Sequence, residues 1–223
     1  MFFTMIRLGK NVSPRDVALL SKGGGYQSHR QVWNLFTDSP VRTRDFLYRH
    51  ETVNGWPTFY TVSERSPRDA TGLWEIFSKP YAPKLFVGQR LAFTLRVNPI
   101  RSKRDELGRQ HRHDVIMEAK TVLKTQGERI DESEIIQNQG ERWLMERCER
   151  FGFHVPSGNV RVDGYQQHKL FKGKGNKPIT FSTLDFTGVL IVDQPDKFIK
   201  ECLFSGIGPV KGFGCGLMLI RRV

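Results

Sequence analysis

The chain has 223 residues, room for one large domain or two small ones. A hydrophobic share of 38%, with 16 Phe and 4 Trp, supplies a core and excludes a disordered chain. Lys and Arg total 35 against 23 Asp and Glu, a formal charge of +12, so a polyanionic partner is expected. Nucleic acid fits better than an anionic membrane surface, because no long basic amphipathic helix is legible. Three cysteines, Cys148, Cys202 and Cys215, show no short pairing pattern and suit a reducing compartment. The apolar start is cut short by Arg7 and Lys10, and no run approaches a membrane span. The expected location is cytoplasmic.

Residues 1–9 are expected to form a first strand. Gly23-Gly24-Gly25 then leads into Tyr26-Gln27-Ser28-His29 and an apolar helical pattern of Val32, Trp33, Leu35 and Phe36. Ser28 followed by Gln31 matches a capping box, so the helix is expected to start at His29. In a first turn the helix dipole favours a nearby anion and a neutral imidazole. The competing reading makes Tyr26, His29, Trp33 and Phe36 one packed face, with His29 a hydrogen-bonded core residue. Asp38-Ser39-Pro40 stops the helix. Phe46–His50 and Thr58–Val62 are expected to pair through an Asn54-Gly55 turn, and Leu73–Phe77 is a further strand candidate. Pro80, Pro83 and Gly88 break the pattern, which sets a boundary between domains at 1–85 and 89–223.

The second half opens with the alternating strand Arg90–Val97, ended by Asn98-Pro99. Arg101–Arg112 is basic and is expected to be a solvated loop. Glu141–Phe151 is helical, with Trp143, Leu144, Arg147, Cys148 and Phe151 on one side. Strands are expected at 160–171 and 178–192, around the polar turn Lys172–Lys177. Pro195 opens a short helix over Asp196–Phe204, the glycine-rich run Gly206–Gly216 follows, and a last strand covers Leu217–Ile220. Each half reads as strand, helix, strand, strand with further pieces. The economical architecture is an α+β fold of two ferredoxin-like modules in tandem.

Four features carry candidate chemistry. The turn at 172–177 holds Lys172, Lys174 and Lys177 after Lys169, with no acid nearby, and suits a nucleic-acid groove as well as a solvated tip. The glycine-rich run can present amides to phosphates, or can be a tight connection. It lacks the ending of a Walker A loop and is followed by a strand, so neither that motif nor a dinucleotide fingerprint fits. Cys215 between two glycines is a small packed thiol rather than a nucleophile, since no activating partner is evident. His111-x-His113 is the only close histidine pair, and no metal-ligand spacing or Gly-x-Ser-x-Gly elbow occurs, so neither metal nor cofactor is expected.

Four segments together resemble a known family. They are Tyr26-Gln27-Ser28-His29, Leu95-Arg96-Val97-Asn98-Pro99-Ile100, the basic hairpin before Phe186-x-Gly188, and Gly206-Ile207-Gly208-Pro209 running into the terminal glycines. In this order they resemble the CasE family, precursor-CRISPR-RNA endoribonucleases of type I-E systems within the RAMP superfamily. The resemblance runs over nearly the whole chain, although 122–139 is longer than the family pattern and takes no role from it. It implies two tandem ferredoxin-like (RRM-like) domains that bind the stem-loop of a CRISPR repeat and cut at its 3′ base. It implies that the protein then stays on the RNA with the other subunits of the surveillance complex. His29 becomes the catalytic histidine and Tyr26 its partner, with acid and base unassigned between them. Expected RNA contacts are Lys169, Lys172, Lys174, Lys177, Arg30, Lys211, Gly208, Gly212 and Gly214. The chemistry needs no metal if the 2′-hydroxyl beside the scissile phosphate attacks in line. Two rivals stand beside this reading. A non-catalytic RNA-binding scaffold explains the charge and the glycines equally well, and a nucleotide-binding enzyme would use the glycine loop.

Overall fold

The computed structural model describes residues 1–10, 12–13, 15–17, 24–37, 43–127, 131–171 and 177–223, with the backbone alone at 24–26. Strand β1 (Phe2–Leu8) lies between β3 (Trp56–Ser63) and β4 (Trp74–Pro80), and β2 (Phe46–Val53) pairs the outer side of β3. All these pairings are antiparallel, and the order β2-β3-β1-β4 is that of a ferredoxin-like sheet. Asn54 and Gly55 both take positive φ, at 52° and 81°. They make the two-residue turn whose twist matches the strands it joins. Helix α1 (Gly24–Asn34) covers one face of the sheet. Val32, Leu35 and Phe36 bury there against Ile6, Phe46, Tyr48 and Phe59.

The second half repeats the plan. Strand β5 (Arg90–Val97) alternates exposed or half-buried residues with buried Leu91, Phe93, Leu95 and Val97, as a strand with one core face should. It lies between β11 (Met218–Arg222) and β10 (Ile179–Val192). β9 (Val160–Leu170) and the short β8 (Phe153–His154) pair the far side of β10. Two helices, α2 (Val115–Gln126) and α3 (Glu132–Phe151), stand where a ferredoxin-like module has its first. Asp114 and Asp131 cap them by accepting two backbone N–H groups each. The second helical position holds α4 (Pro195–Lys197), which runs into a π-helical segment Phe198–Phe204. The fold is therefore two ferredoxin-like domains in tandem, as the sequence indicates.

Strand β2 is buried on both faces at Phe46, Leu47, Tyr48 and Arg49. Phe46 and Tyr48 point to the α1 side, where they join the first core. Leu47 points the other way and joins Val62 and Leu217 in a separate cluster that seals the two domains together. Phe3, Tyr60, Tyr81 and Phe204 pack around it. Gly206 makes this seam possible: its φ is 77°, and a Cβ there would lie 2.8 Å from the Leu47 side chain.

Three expectations are corrected. Helix α1 does not begin at His29, because Gly24 and Gly25 are already helical and Ser28 and Gln31 lie inside it. The capping-box pattern is a local signal, whereas extending a helix already nucleated by packing costs little per residue. Residues 101–112 are not a loop. They form a hairpin of β6 (Ile100–Arg104) and β7 (Gln110–Asp114), and three of its cations stand in ion pairs, Arg101–Glu146, Lys103–Glu118 and Arg109–Asp105. Helix α3 begins nine residues before the expected Glu141, at Glu132, so within the 122–139 stretch the residues up to Gln126 end α2 and those from Glu132 begin α3. The expected helix stop at Asp38-Ser39-Pro40 lies outside the described residues.

Helix α3 approaches β9 closely at Gly140, where a Cβ would lie 2.4 Å from Val162 Cγ1 and 3.0 Å from Leu184 Cδ2. Gly140→Ala gains up to ~1 kcal/mol of helix propensity but overpacks a stiff β-branched neighbour at about 1–3 kcal/mol. The expected outcome is a lower urea midpoint with unchanged far-UV circular dichroism. A raised midpoint would show that the helix has room to move.

Candidate active site and RNA interface

The glycine-rich segment returns from the π-helical turn toward the first domain. The Ile207 N–H donates to the Gly216 carbonyl at 2.9 Å, and the Gly216 N–H donates to the Arg96 carbonyl at 2.7 Å. Between these anchors a 3-10 turn, Lys211–Phe213, projects from Val210. Val210 has φ 60°, a strained value for a β-branched residue and one that only a well-determined surrounding sustains. Lys211 Nζ donates to the Ser205 carbonyl at 2.6 Å and holds the base of the turn.

The turn meets α1 at one atom. The Gly212 carbonyl oxygen accepts a hydrogen bond from His29 Nδ1 and a second from the Tyr48 hydroxyl at 3.1 Å. A carbonyl can only accept, so Nδ1 carries a proton here and the neutral ring keeps its lone pair on Nε2. This contact sets the imidazole tautomer in place of the helix dipole. His29 lies beyond the first turn of α1, where the dipole effect fades. The ring stacks on Phe213, with centroids 4.8 Å apart, and tilts against Trp33 at 5.7 Å. Phe213 in turn contacts Phe181, and Phe181 stacks on His168. A row of rings thus runs from the helix of the first domain to β9 and β10 of the second.

Cations gather at the same place. A Cβ on Gly212 would lie 3.6 Å from Arg44 Nη1 and 3.8 Å from His29 Cε1, so both side chains stand beside one point. Burial lowers the Arg44 pKa, and burial together with the Arg44 charge lowers that of Lys211. Two half-buried cations that repel each other make a place where an anion gains free energy.

The sequence motifs find physical jobs. Arg96 binds Asp185 through two hydrogen bonds at 2.8 and 2.7 Å, and its Nη1 donates to the His50 carbonyl at 3.1 Å across the domain junction. Asn98 is buried and donates to the Ser182 carbonyl at 2.8 Å. Ile207 is fully buried. Burial pushes the Cys215 thiol up to about 12, which makes it a packing residue.

The expected site residues divide. His29, Lys211 and Gly212 come together. Gly214 lies behind them against Tyr48, whereas Gly208 packs on Trp143 and the Asn98 carbonyl, away from the cleft. Arg30 is exposed on α1. Lys169, on β9, and Lys177 are exposed at the two ends of the basic hairpin tip. Lys172 and Lys174 lie outside the described residues, as does the Tyr26 side chain. The Tyr26 backbone sits one helical turn before His29. Arg44 and Tyr48 carry no motif, and Phe213, although inside the glycine-rich run, is picked out only in the folded chain. Among the described residues, no group of three or more His, Cys, Asp or Glu side chains is placed to hold a metal ion, and no helix is long and apolar enough to cross a membrane.

A family model described as CRISPR associated protein matches residues 1–222, and the chain belongs to that family. It is 29% identical over 200 residues to the CRISPR system Cascade subunit CasE of Escherichia coli (strain K12), covering 86% of this chain and 89% of that one. It is 26% identical over 210 residues to the CRISPR-associated endoribonuclease Cse3 of Thermus thermophilus, covering 87% and 89%. Among solved structures, Cse3 bound to a 19-nucleotide RNA superposes with a TM-score of 0.71 over 100% of both chains at 23% identity. The crystal structure of Cas6e from Escherichia coli K-12 gives 0.60, again over 100% of both, at 22% identity. These likenesses bear out the resemblance to CasE and the tandem ferredoxin-like fold.

Two histidines near the site report on stability. Burial, then the Arg96 charge, lowers the pKa of both His50 and His168. In the unfolded chain both titrate near ~6.5. Below that pH the unfolded state binds more protons, so stability is full above it and falls as the pH drops toward the lowered folded values. The urea midpoint should therefore fall between about pH 7.5 and pH 5.5, and replacing both residues by Gln should flatten the fall. An unchanged slope would remove these two rings as its cause.

Proposed function

We propose that this protein is the endoribonuclease that cuts precursor CRISPR RNA at the 3′ base of the repeat stem-loop, without a metal ion. It then remains on the mature guide as a subunit of the cytoplasmic type I-E surveillance complex. The observation that carries the reading is the His29 imidazole held in one tautomer by the Gly212 carbonyl, beside Arg44 and Lys211. Family membership and the endoribonuclease named among its relatives support it.

The steps follow from RNA chemistry. The 2′-oxygen forms a bond to phosphorus while the bond to the 5′-oxygen breaks. His29 Nε2, which carries the lone pair, takes the proton of the 2′-hydroxyl. The departing 5′-oxygen takes a proton from a donor, the role that falls to Tyr26 one turn earlier on α1. Arg44 and Lys211 stabilise the charge that builds on the non-bridging oxygens. The products are a 2′,3′-cyclic phosphate and a 5′-hydroxyl. Electrons and protons balance without an activated water, which is the step for which nucleases use a metal. Lys169, Lys177 and Arg30, which are exposed, bind phosphates of the stem together with Lys172 and Lys174 of the same basic turn, which adds salt-sensitive affinity but little sequence information. A site that mainly positions its substrate suffices, because a subunit that keeps its product needs to turn over only once.

His29→Ala should lose roughly 10²-fold or more in single-turnover cleavage, the usual scale for a general acid or base, with RNA affinity retained. Wild-type cleavage should persist in EDTA. Full activity of the variant, or dependence on added magnesium, would contradict the mechanism. RNA that is bound but never shortened would favour a non-catalytic scaffold.

A further inference from the structure

A cavity of about 160 Å³ lies at the domain junction, directly behind the ring that His29 stacks on. Phe213 has the imidazole beside it and also lines this cavity. The other walls include Phe181 and His168, with Gln166 and Thr183 offering polar edges. His168 Nε2 and Thr183 Oγ1 are 2.9 Å apart, so one edge is already ordered. His50 and Tyr48 also line it, as does the Arg96–Asp185 ion pair at 2.7 Å. Nothing in the cleavage chemistry above uses these side chains.

The size and the walls select an occupant. A cavity of ~150 Å³ holds one benzene-sized ring, so this one takes a single heterocycle and not a base pair. Aromatic faces with a few fixed donors and acceptors are the surroundings in which proteins hold unstacked bases. A reason to hold one follows from the reaction. In-line attack requires the 2′-oxygen, the phosphorus and the 5′-oxygen to lie on one line. Stacked A-form RNA does not present them so, and one of the two nucleotides at the scissile bond has to leave the stack. Fixing its base a single ring away from His29 would hold the reactive alignment and gain the rate that orientation provides.

We propose that this cavity receives one unpaired base of the RNA, from a nucleotide at the scissile phosphate, and acts as the clamp that sets in-line geometry. The proposal rests on the endoribonuclease reading. Gln166, Thr183, His50 and His168 are then specificity-determining and positioning residues, and none of them exchanges a proton with the substrate.

The test is a cycle of protein and RNA changes, read as single-turnover cleavage of a repeat stem-loop. RNAs carry an abasic site at each position around the cut in turn. The protein is wild type, Gln166→Trp, which plugs the mouth from an exposed position, or Thr183→Val, which removes one edge without changing volume. One abasic position beside the cut should slow the wild type by about tenfold, the scale of one lost base contact. Gln166→Trp should slow intact RNA similarly and show no further loss on that one abasic RNA, while losses at other positions multiply. Thr183→Val should give the same pattern at smaller size. Losses that multiply at every position, while cleavage still depends on His29, overturn the clamp and leave the endoribonuclease standing. Cleavage that does not depend on His29 overturns both.

Discussion

One carbonyl oxygen ties this molecule together. Gly212 O accepts from His29 on α1 and from Tyr48 on β2, so the last glycine segment of the chain is bonded to the first helix and to the sheet that helix covers. Those partners are separated by 183 and 164 positions in sequence, which makes the contact a product of the completed fold. Because the oxygen can only accept, it also dictates where the His29 proton sits. A structural anchor and a chemical setting are therefore the same hydrogen bond.

That bond depends on a rigid junction between the domains. Two tandem ferredoxin-like modules would by default move relative to each other if they met over a small polar surface. Here β2 is sandwiched. Its Phe46 and Tyr48 face α1, and its Leu47 meets Val62 and Leu217 at the seam. Arg96 reaches from β5 to the His50 carbonyl, and its own fork is fixed by Asp185. The row of rings from Trp33 through His29, Phe213 and Phe181 to His168 crosses the same junction. The cations stand at the surface of the cleft, and Phe213 and Trp33 wall one side of the imidazole. Such a wall excludes water from one side of the imidazole and strengthens each charge interaction nearby.

Much of the fold was legible because it rests on local rules. The strict alternation of Arg90–Val97 and the Asn54-Gly55 turn led directly to β5 and to the β2–β3 hairpin. The failures also have local causes. Ser28 and Gln31 match a capping box, but the helix passes through them, since side-chain patterns do not reveal where tertiary packing lets a helix extend. Arg101–Arg112 looked like a basic loop because charges hide strand periodicity, and their ion-pair partners Glu118 and Glu146 are distant in sequence. At the site, His29 and the glycines could be picked out by residue type and motif. Arg44 and Phe213 could not: one is a single cation among many, the other a single aromatic among 16 Phe. Only the close approach at Gly212 makes them part of the site.

Cleavage by His29 as a base requires the 2′-hydroxyl to be the nucleophile. The direct measurement is the chemical identity of the ends left on a labelled CRISPR repeat stem-loop after a single turnover. A 2′,3′-cyclic phosphate on the upstream fragment and a 5′-hydroxyl on the downstream one are predicted. A 3′-hydroxyl paired with a 5′-phosphate would mean that water attacked, and would contradict the role given to His29.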